Sequence, residues 1–531
     1  MDAAAPDPRR WLALGVVAAG VALIIIDSTI VNVALPTIIR DLDLGLSGAE
    51  WVNSIYSLVF AALLIATGRL ADMRGRRTVY IAGLVVFGGS SVLAGLAGSG
   101  ELLILARLLQ GVGGALVLPS TLSIVNATFQ GRERAAAFGV WGGTIGGMAA
   151  LGPIAGGWIT TTFGWHWIFL INVPLAAALV VLSLLVVRDS RDPTARPTGD
   201  VVGAVSIALG LASLTFALIE GRTYGWWGVQ EAFAPFGLTW PLAGVSPIPI
   251  AFAIALLCIV AFLLGNRRRV RAGRPVFVDL TLFRYRSFGF GNLTATLVSL
   301  GEFGLLFAIP LYLQNVLGLD ATASGLVIAS LAVGAFVSAG AAAPLSKRIG
   351  GRGIVQIGMA LEAIGVAAFA LLVAPGIPAW HLLPALFVYG LGVGFATAQL
   401  TGVILADVPV AASGQASGIQ STSRQIGSAL GVAILGTILA SAIFAQSQDN
   451  LEGAGIPPAQ AAQTATAMER SAGTALPAIV AAPGGEAVAA PLEQAFADAT
   501  RRTGIAAALF ILIGLASSFL LPRPRRGGEP A

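Results

Sequence analysis

Leu70-Ala-Asp-Met-Arg-Gly75-Arg-Arg77 returns 275 residues later as Leu345-Ser-Lys-Arg-Ile-Gly350-Gly-Arg352, and Gly83 returns at the same offset as Gly358. Each copy lies between two long apolar runs and reads as a tight basic connection between consecutive membrane helices. A parallel repeat of this kind is the sign of a chain built from two similarly oriented halves, with a path between them. The offset also carries Asp27 onto Glu302, each a lone carboxylate at similar depth in the first helix of its half.

The surroundings agree with a membrane chain. Of 531 residues 56% are hydrophobic and 11% charged, and the mean hydropathy of +0.85 excludes a soluble globular protein. Fourteen apolar runs, from 11 to 35 through 503 to 521, are each long enough to cross a bilayer. The fold expected is therefore an all-α integral membrane protein with fourteen transmembrane helices. The first run has no small-residue cleavage site after it and is expected to stay as a helix. Of the 31 Lys and Arg, 24 fall in one set of alternate loops and five in the other, while Arg107 and Arg424 fall inside helices. That asymmetry predicts a multi-pass protein of the cell membrane with both termini cytoplasmic, and so an even number of crossings.

The halves are expected as two pseudo-symmetric six-helix bundles, residues 1–190 and 281–531. An inserted helix pair and a cytoplasmic linker occupy 191–280. Residues 446–502, rich in Ala, Gln, Pro and Gly, read as a long extracytoplasmic loop, partly helical or mobile. Trp226, Trp227 and Trp240 suit an interfacial aromatic belt.

Composition also removes function classes. Lys347 is the only lysine and is followed by Arg348, so a Gly-Lys-Ser/Thr phosphate loop is absent and the chain is no ATP-driven pump by itself. Cys258 stands alone, and His166 and His381 are too few for a zinc site. No soluble catalytic domain fits and no nucleophile and base pair is found, so the chain is read as no enzyme, with no cofactor and no metal. The net charge of +5 is topological and does not point to nucleic acid.

The motifs resemble the major facilitator superfamily and, within it, the fourteen-helix drug:proton antiporters. Gly68-Arg-Leu-Ala-Asp72-Met-Arg-Gly75-Arg76-Arg77 looks like the superfamily's loop signature, with Met73 where a basic residue is usual. Arg107-Leu-Leu-Gln110-Gly111 resembles the motif of the fourth helix, and Gly152-Pro153-Ile-Ala-Gly156-Gly157 the antiporter motif of the fifth, with Met148 at a usual glycine. Asp27-Ser-Thr29-Ile-Val-Asn32-Val-Ala-Leu35-Pro36 is similar to the first-helix motif of the drug exporters. Trp165-His-Trp167-Ile-Phe-Leu-Ile-Asn172-Val-Pro174 also matches, with His166 in place of Arg. The resemblance implies export of drugs or other amphiphilic small molecules, cations among them, in exchange for protons by alternating access. It also implies that Arg107 modulates the proton site.

Physical chemistry gives each motif a reading of its own. A carboxylate inside a membrane helix is expensive to keep charged and can trade a proton near neutral pH, which makes Asp27 the leading proton carrier. The alternative is a structural carboxylate bonded to Asn32 or a neighbouring helix. Glu302 is a second coupling acid or a pore-lining spectator, and Arg107 either serves the proton site or caps helix-end carbonyls. Arg424 reads as a tether between bundles, and Glu362 and Asp407 as snorkelling or end-capping residues. The glycines of the fifth helix permit close approach, either as a leak-tight seam or as ordinary packing. Asp72, accepting from arginines or a helix end, would latch one state on the cytoplasmic side. The expected partners are thus a small-molecule substrate, protons and the lipid bilayer. A dedicated exporter of an endogenous metabolite, antibiotic, lipid or siderophore is the second reading. A non-transporting receptor or assembly factor is the third, against which the buried charges of Asp27 and Arg107 speak.

Overall fold

The computed structural model describes residues 8–129, 131–191, 199–231, 233, 244–276, 278–408, 413–482 and 485–522. Among them the only regular elements are helices. The first half comprises α1 (Arg10–Asp41), α2 (Leu46–Arg74), α3 (Arg76–Gly95), α4 (Gly100–Thr128), α5 (Gly131–Phe163), the short α6 (His166–Leu170) and α7 (Asn172–Val186). Then come α8 (Val201–Tyr224) and α9 (Pro247–Arg271). The second half holds α10 (Arg286–Asn315), α11 (Ala321–Leu372), α12 (Leu383–Leu405), α13 (Ser413–Gly453), α14 (Pro458–Arg470), α15 (Leu476–Ala481) and α16 (Glu486–Ser518). Twelve stretches among the described residues are long and apolar enough to cross a membrane, α11 contributing two of them. Helices α2 and α5 fall outside that set but are 29 and 33 residues long, which is also crossing length.

The repeat read from sequence has a backbone counterpart. Gly75 separates α2 from α3 with φ of 114°, and Gly350, 275 residues on, breaks α11 with φ of 78°. Both occupy the region that favours glycine, and each turns the chain sharply between two helices. Past each break a second glycine admits a neighbouring helix. A Cβ at Gly83 would lie 3.0 Å from the Gly113 carbonyl of α4, and one at Gly358 would lie 2.5 Å from the Ala396 nitrogen of α12.

The first half packs α3 and α2 on α4, and α1 on α5 and α7; the second packs α11 on α12, and α10 on α13 and α16. The halves meet where α5 lies on α11, α2 on α13 and α1 on α10. At the end of the molecule away from the termini they share one apolar core, in which Leu35 and Ile39 of α1 join Phe307 and Leu311 of α10 and Leu439 of α13. Toward the terminus end the cores are separate. Leu14, Tyr80, Ile124 and Leu179 cluster in the first half, and Phe288, Met359, Ile404 and Ile419 in the second. Helices α8 and α9 form a hairpin. α8 rests on the α2–α13 seam, with Leu211 against Leu58 and Ala429.

Residues 446–502 are expected as an extracytoplasmic loop, partly helical or mobile. The segment is helical over most of its described length, because α13 runs on to Gly453 and α16 starts at Glu486. Ala461, Ala465 and Met468 recur at helical spacing and are buried, as are Leu492, Ala495, Phe496 and Ala499. Alanine has the highest helix propensity and buries without side-chain entropy loss, so a composition that reads as loose packs as helix. Of the tryptophans, Trp227 is exposed and Trp226 lies over Gly221, whereas Trp240 lies outside the described residues.

Candidate functional site

Midway along α1, the eighteenth of its 32 residues is Asp27, whose side chain is wholly buried. Three donors from two other helices converge on it. Arg107 of α4 donates from Nη1 to Oδ2 at 2.5 Å, while Gln110 donates to Oδ1 at 3.1 Å. Asn172, the first residue of α7, donates to the same Oδ1 at 2.8 Å. Arg107 and Gln110 are one helical turn apart, and Arg107 donates to Gln110 Oε1 at 2.9 Å. Gln110 in turn donates to Ser91 of α3 at 2.9 Å. The guanidinium is completed by a bond from Nε to the Val52 carbonyl of α2 and by the Tyr56 ring, 4.3 Å from its Cζ. A buried ion pair lasts only when its remaining donors and lone pairs are met, and here five helices meet them.

Asp27 is thus bonded to neighbouring helices, and two contacts weighed from sequence are not made. Asn32 is not the partner of Asp27; its Oδ1 accepts from Asn53 of α2 at 3.0 Å. Arg107 caps no helix end, since α4 begins seven residues earlier and the guanidinium points into the ion pair. Gly111 lets α4 meet α2, since a Cβ there would stand 2.8 Å from the Tyr56 carbonyl. Asn172 and Ser91 were given no part by sequence. Asn172 stood in a quoted motif, which was the signal available, whereas Ser91 carried none.

The loop signature docks on its own half. Asp189, just beyond α7, accepts from the Arg77 backbone at 3.1 Å and from the Thr78 hydroxyl at 3.1 Å, while the Arg76 nitrogen donates to the Ser190 carbonyl at 2.9 Å. The Arg77 guanidinium reaches the Val187 carbonyl at 3.2 Å. Asp189 thus satisfies the open N-terminus of α3 from 112 residues away. The side chain expected as the latch, Asp72, lies outside the described residues, and Gly68 faces Pro119 of α4. A second tie at this end is the ion pair of Arg10 and Glu133, whose two nitrogen-to-oxygen bonds measure 3.0 and 2.9 Å. The Arg10 hydrogen bond holds the Glu133 carboxyl below its ordinary value, against a smaller penalty from desolvation.

The antiporter motif lies on both seams of α5. Gly152 and Gly156 sit against Thr29 and Ile30 of α1, with the Ile30 carbonyl 2.8 Å from a Cβ built at Gly156. Gly157 sits against the backbone of Ala321 and Thr322, the first turn of α11, and the Thr322 hydroxyl donates to the Gly157 carbonyl at 3.2 Å. Gly325 of α11 lies against the Pro153 carbonyl. One short stretch therefore holds the two halves together at the end away from the termini.

In the second half Glu302 is buried on α10, the seventeenth of its 30 residues. Arg424 of α13 belongs to the same half, next to Ser423, whose carbonyl accepts from the Thr296 hydroxyl of α10 at 3.2 Å. Glu362 corrects the snorkelling expectation. It is fully buried, fifteen residues into the stretch Arg348–Leu372, because α12 closes over it with Gly392 against its backbone. Asp407 lies in the exposed turn after α12.

Comparison with known proteins decides the family. Residues 17–432 match the Major Facilitator Superfamily. The chain belongs to that superfamily. It is 34% identical over 511 residues to the multidrug efflux pump LfrA of Mycolicibacterium smegmatis, covering 96% of this chain and 95% of that one. It is also 34% identical over 463 residues to a probable actinorhodin transporter of Streptomyces coelicolor, covering 85% and 76%. Among solved structures it resembles an inward-facing, unoccupied bacterial homologue of the human lysosomal transporter Spinster, with a TM-score of 0.63 at 18% identity over 97% of each chain. The superfamily is one of membrane transporters, so two similar halves with a buried charge cluster between helices are the architecture of a carrier.

Proposed function

We propose that this chain is a proton-coupled secondary exporter of drugs or other amphiphilic small molecules, working by alternating access across the cytoplasmic membrane. The observation that carries the reading is Asp27, a buried carboxylate at mid-membrane depth held by Arg107, Gln110 and Asn172. Taking up a proton cancels the aspartate charge and releases the Arg107 guanidinium, so proton binding is tied to the packing of α1 against α4 and α7. Glu302 is the corresponding acid of the second half. The relatives, a multidrug efflux pump and a probable antibiotic transporter, support the substrate class. Names such as the tetracenomycin C resistance and export protein of Streptomyces glaucescens favour, as a second reading, dedicated export of an antibiotic made by the cell.

In this reading α2 and α5 also cross, giving fourteen helices, with bundles of 1–190 and 281–531 and the α8–α9 pair inserted between them. The termini are cytoplasmic, as the arginine distribution supports. The shared core at the far end and the separate cores at the terminus end fit a state closed outside and open inside. Transport in proteoliposomes with an imposed pH gradient, using cationic dyes beside neutral and anionic compounds, tests it. Asp27→Asn keeps the volume and removes titration, so gradient-driven accumulation falls to the background of empty vesicles while substrate binding survives. Accumulation against the gradient by Asp27→Asn would place coupling elsewhere.

A further inference from the structure

The second half contains a buried acid for which the exporter reading has no use. Neither carboxyl oxygen of Glu362 meets a hydrogen-bond donor among the described residues, and the side chain is 0% exposed. Its surroundings are built rather than accidental. On α12, Tyr389 packs over Gly365, three residues beyond Glu362, and Gly392 packs against Glu362 itself, so the two helices touch backbone to backbone around it. The Tyr389 hydroxyl reaches across to α10 and donates to the Glu302 carbonyl at 3.3 Å. Arg424 of α13 stands on the turn that packs on α10, where the Thr296 hydroxyl donates to the Ser423 carbonyl at 3.2 Å and Gly427 lies against Thr296 and Ser299. The packed helices α10, α12 and α13 thus carry an acid, a phenol and a guanidinium in the same half as the unpartnered carboxyl.

Charge counting gives the consequence. Two ionised carboxylates beside one guanidinium leave a net negative charge inside the membrane, with one carboxylate lacking any donor, which apolar surroundings do not tolerate. One added proton makes the group neutral: one carboxylate pairs with Arg424 and the other carries an O–H. Acids that interact bind such a proton as a pair. We infer that Glu302 and Glu362 form a second proton-binding site, which holds one shared proton at neutral pH with Arg424 as its counter-charge. Arg424 thereby sets the proton content of its own half.

The inference rests on the exporter reading only for the use of the proton, as a second coupling ion beside that of Asp27; the proton itself is present or absent whatever the chain transports. The test is therefore made without substrate. The full chain in lipid nanodiscs is studied by infrared difference spectroscopy, counting protonated carboxyl groups at neutral pH from the carbonyl stretch that shifts in deuterium oxide. Relative to wild type, Glu362→Gln and Glu302→Gln each lose one protonated carboxyl, because the acid that remains ionises against Arg424. Arg424→Gln gains one, because both acids are then neutral. Asp27→Asn is measured beside them, so that any protonated carboxyl of the first site is counted apart. The inference is overturned if Glu362→Gln and Glu302→Gln both keep the wild-type count, or if Arg424→Gln shows no gain. Should Glu362→Gln not fold, Glu302→Gln and Arg424→Gln decide it in the same way. Failure of Asp27→Asn to abolish efflux would instead count against the exporter reading alone.

Discussion

Arg107 and Asp27 form an ion pair with neither side chain more than 1% exposed, joining α4 to α1 across 80 residues. Removing one member leaves the other charged and alone in apolar surroundings, so Arg107→Ala is expected to destabilise the protein by about 3 to 5 kcal/mol. Removing both members leaves no orphaned charge, although the Val52 carbonyl and Gln110 Oε1 lose a donor. The double variant Asp27→Asn, Arg107→Leu should therefore unfold at a temperature nearer to wild type than Arg107→Ala does, while still failing to couple transport to the pH gradient. Thermal unfolding in detergent measures the first difference and proteoliposome efflux the second. A double variant no more stable than Arg107→Ala would mean that the pair is held in place by packing alone.

What could be read beforehand follows physical lines. The glycine and arginine pattern of residues 70–77 and 345–352 was legible because a tight turn between membrane helices needs a residue tolerant of positive φ, and Gly75 and Gly350 fill that need. Asp27, Arg107 and Gln110 were legible because polar groups in apolar helices stand out. Which donors would meet Asp27 was not, since Asn172 is 145 residues away and a single sequence carries no distances. Glu362 was misjudged because snorkelling depends on which face a helix turns to its neighbours, and α12 covers that face here. Asp189 drew no reading from sequence, because its contact with the start of α3 spans 112 residues.

That cap gives the second prediction. Asp189→Ala removes the acceptor for the Arg77 nitrogen and the Thr78 hydroxyl, and a lost N-terminal cap costs about 0.5 to 2 kcal/mol. Gly75→Ala acts on the same contact from the other side, because its Cβ would stand 2.5 Å from the Asp189 carboxylate at a φ of 114°. Both variants should lower the unfolding temperature, and the double variant should lose less than the sum, since Asp189→Ala removes the clash with the new Cβ while the strain at that φ remains. Fully additive losses would show two independent contributions.

The Arg10–Glu133 pair predicts a pH dependence. The carboxyl of Glu133 is held below its ordinary value when folded, so the pair adds stability above the range in which an unfolded glutamate titrates. That contribution is lost as pH falls through the lowered folded value. The gap in unfolding temperature between wild type and Arg10→Gln is therefore expected at neutral pH, to close in acid and to shrink with added salt. A gap that stays constant from neutral to acid pH would assign the Arg10 contribution to packing of its side-chain stem.

The last prediction concerns the seam of α5 and α11. No Cβ fits at Gly157, because the backbone of Ala321 and Thr322 occupies its place, and Gly325 meets the Pro153 carbonyl from the opposite side. Gly157→Val must therefore push the halves apart at the end away from the termini, where backbone, unlike a flexible side chain, cannot yield. The hydroxyl of Thr322 would also lose its bond to the Gly157 carbonyl. In a chain whose single cysteine, Cys258, is replaced by serine, Thr322→Cys reports the opening. A membrane-impermeant maleimide applied from that side should label Thr322→Cys slowly by itself and several times faster together with Gly157→Val. Proteoliposomes of the Gly157→Val variant should also lose an imposed pH gradient faster than wild type, because the contact that closes that end is the one removed. Equal labelling and equal leak would show that the glycines serve packing within the first half, against Thr29 and Ile30, and that the closure of the far end depends on the α2–α13 and α1–α10 contacts instead.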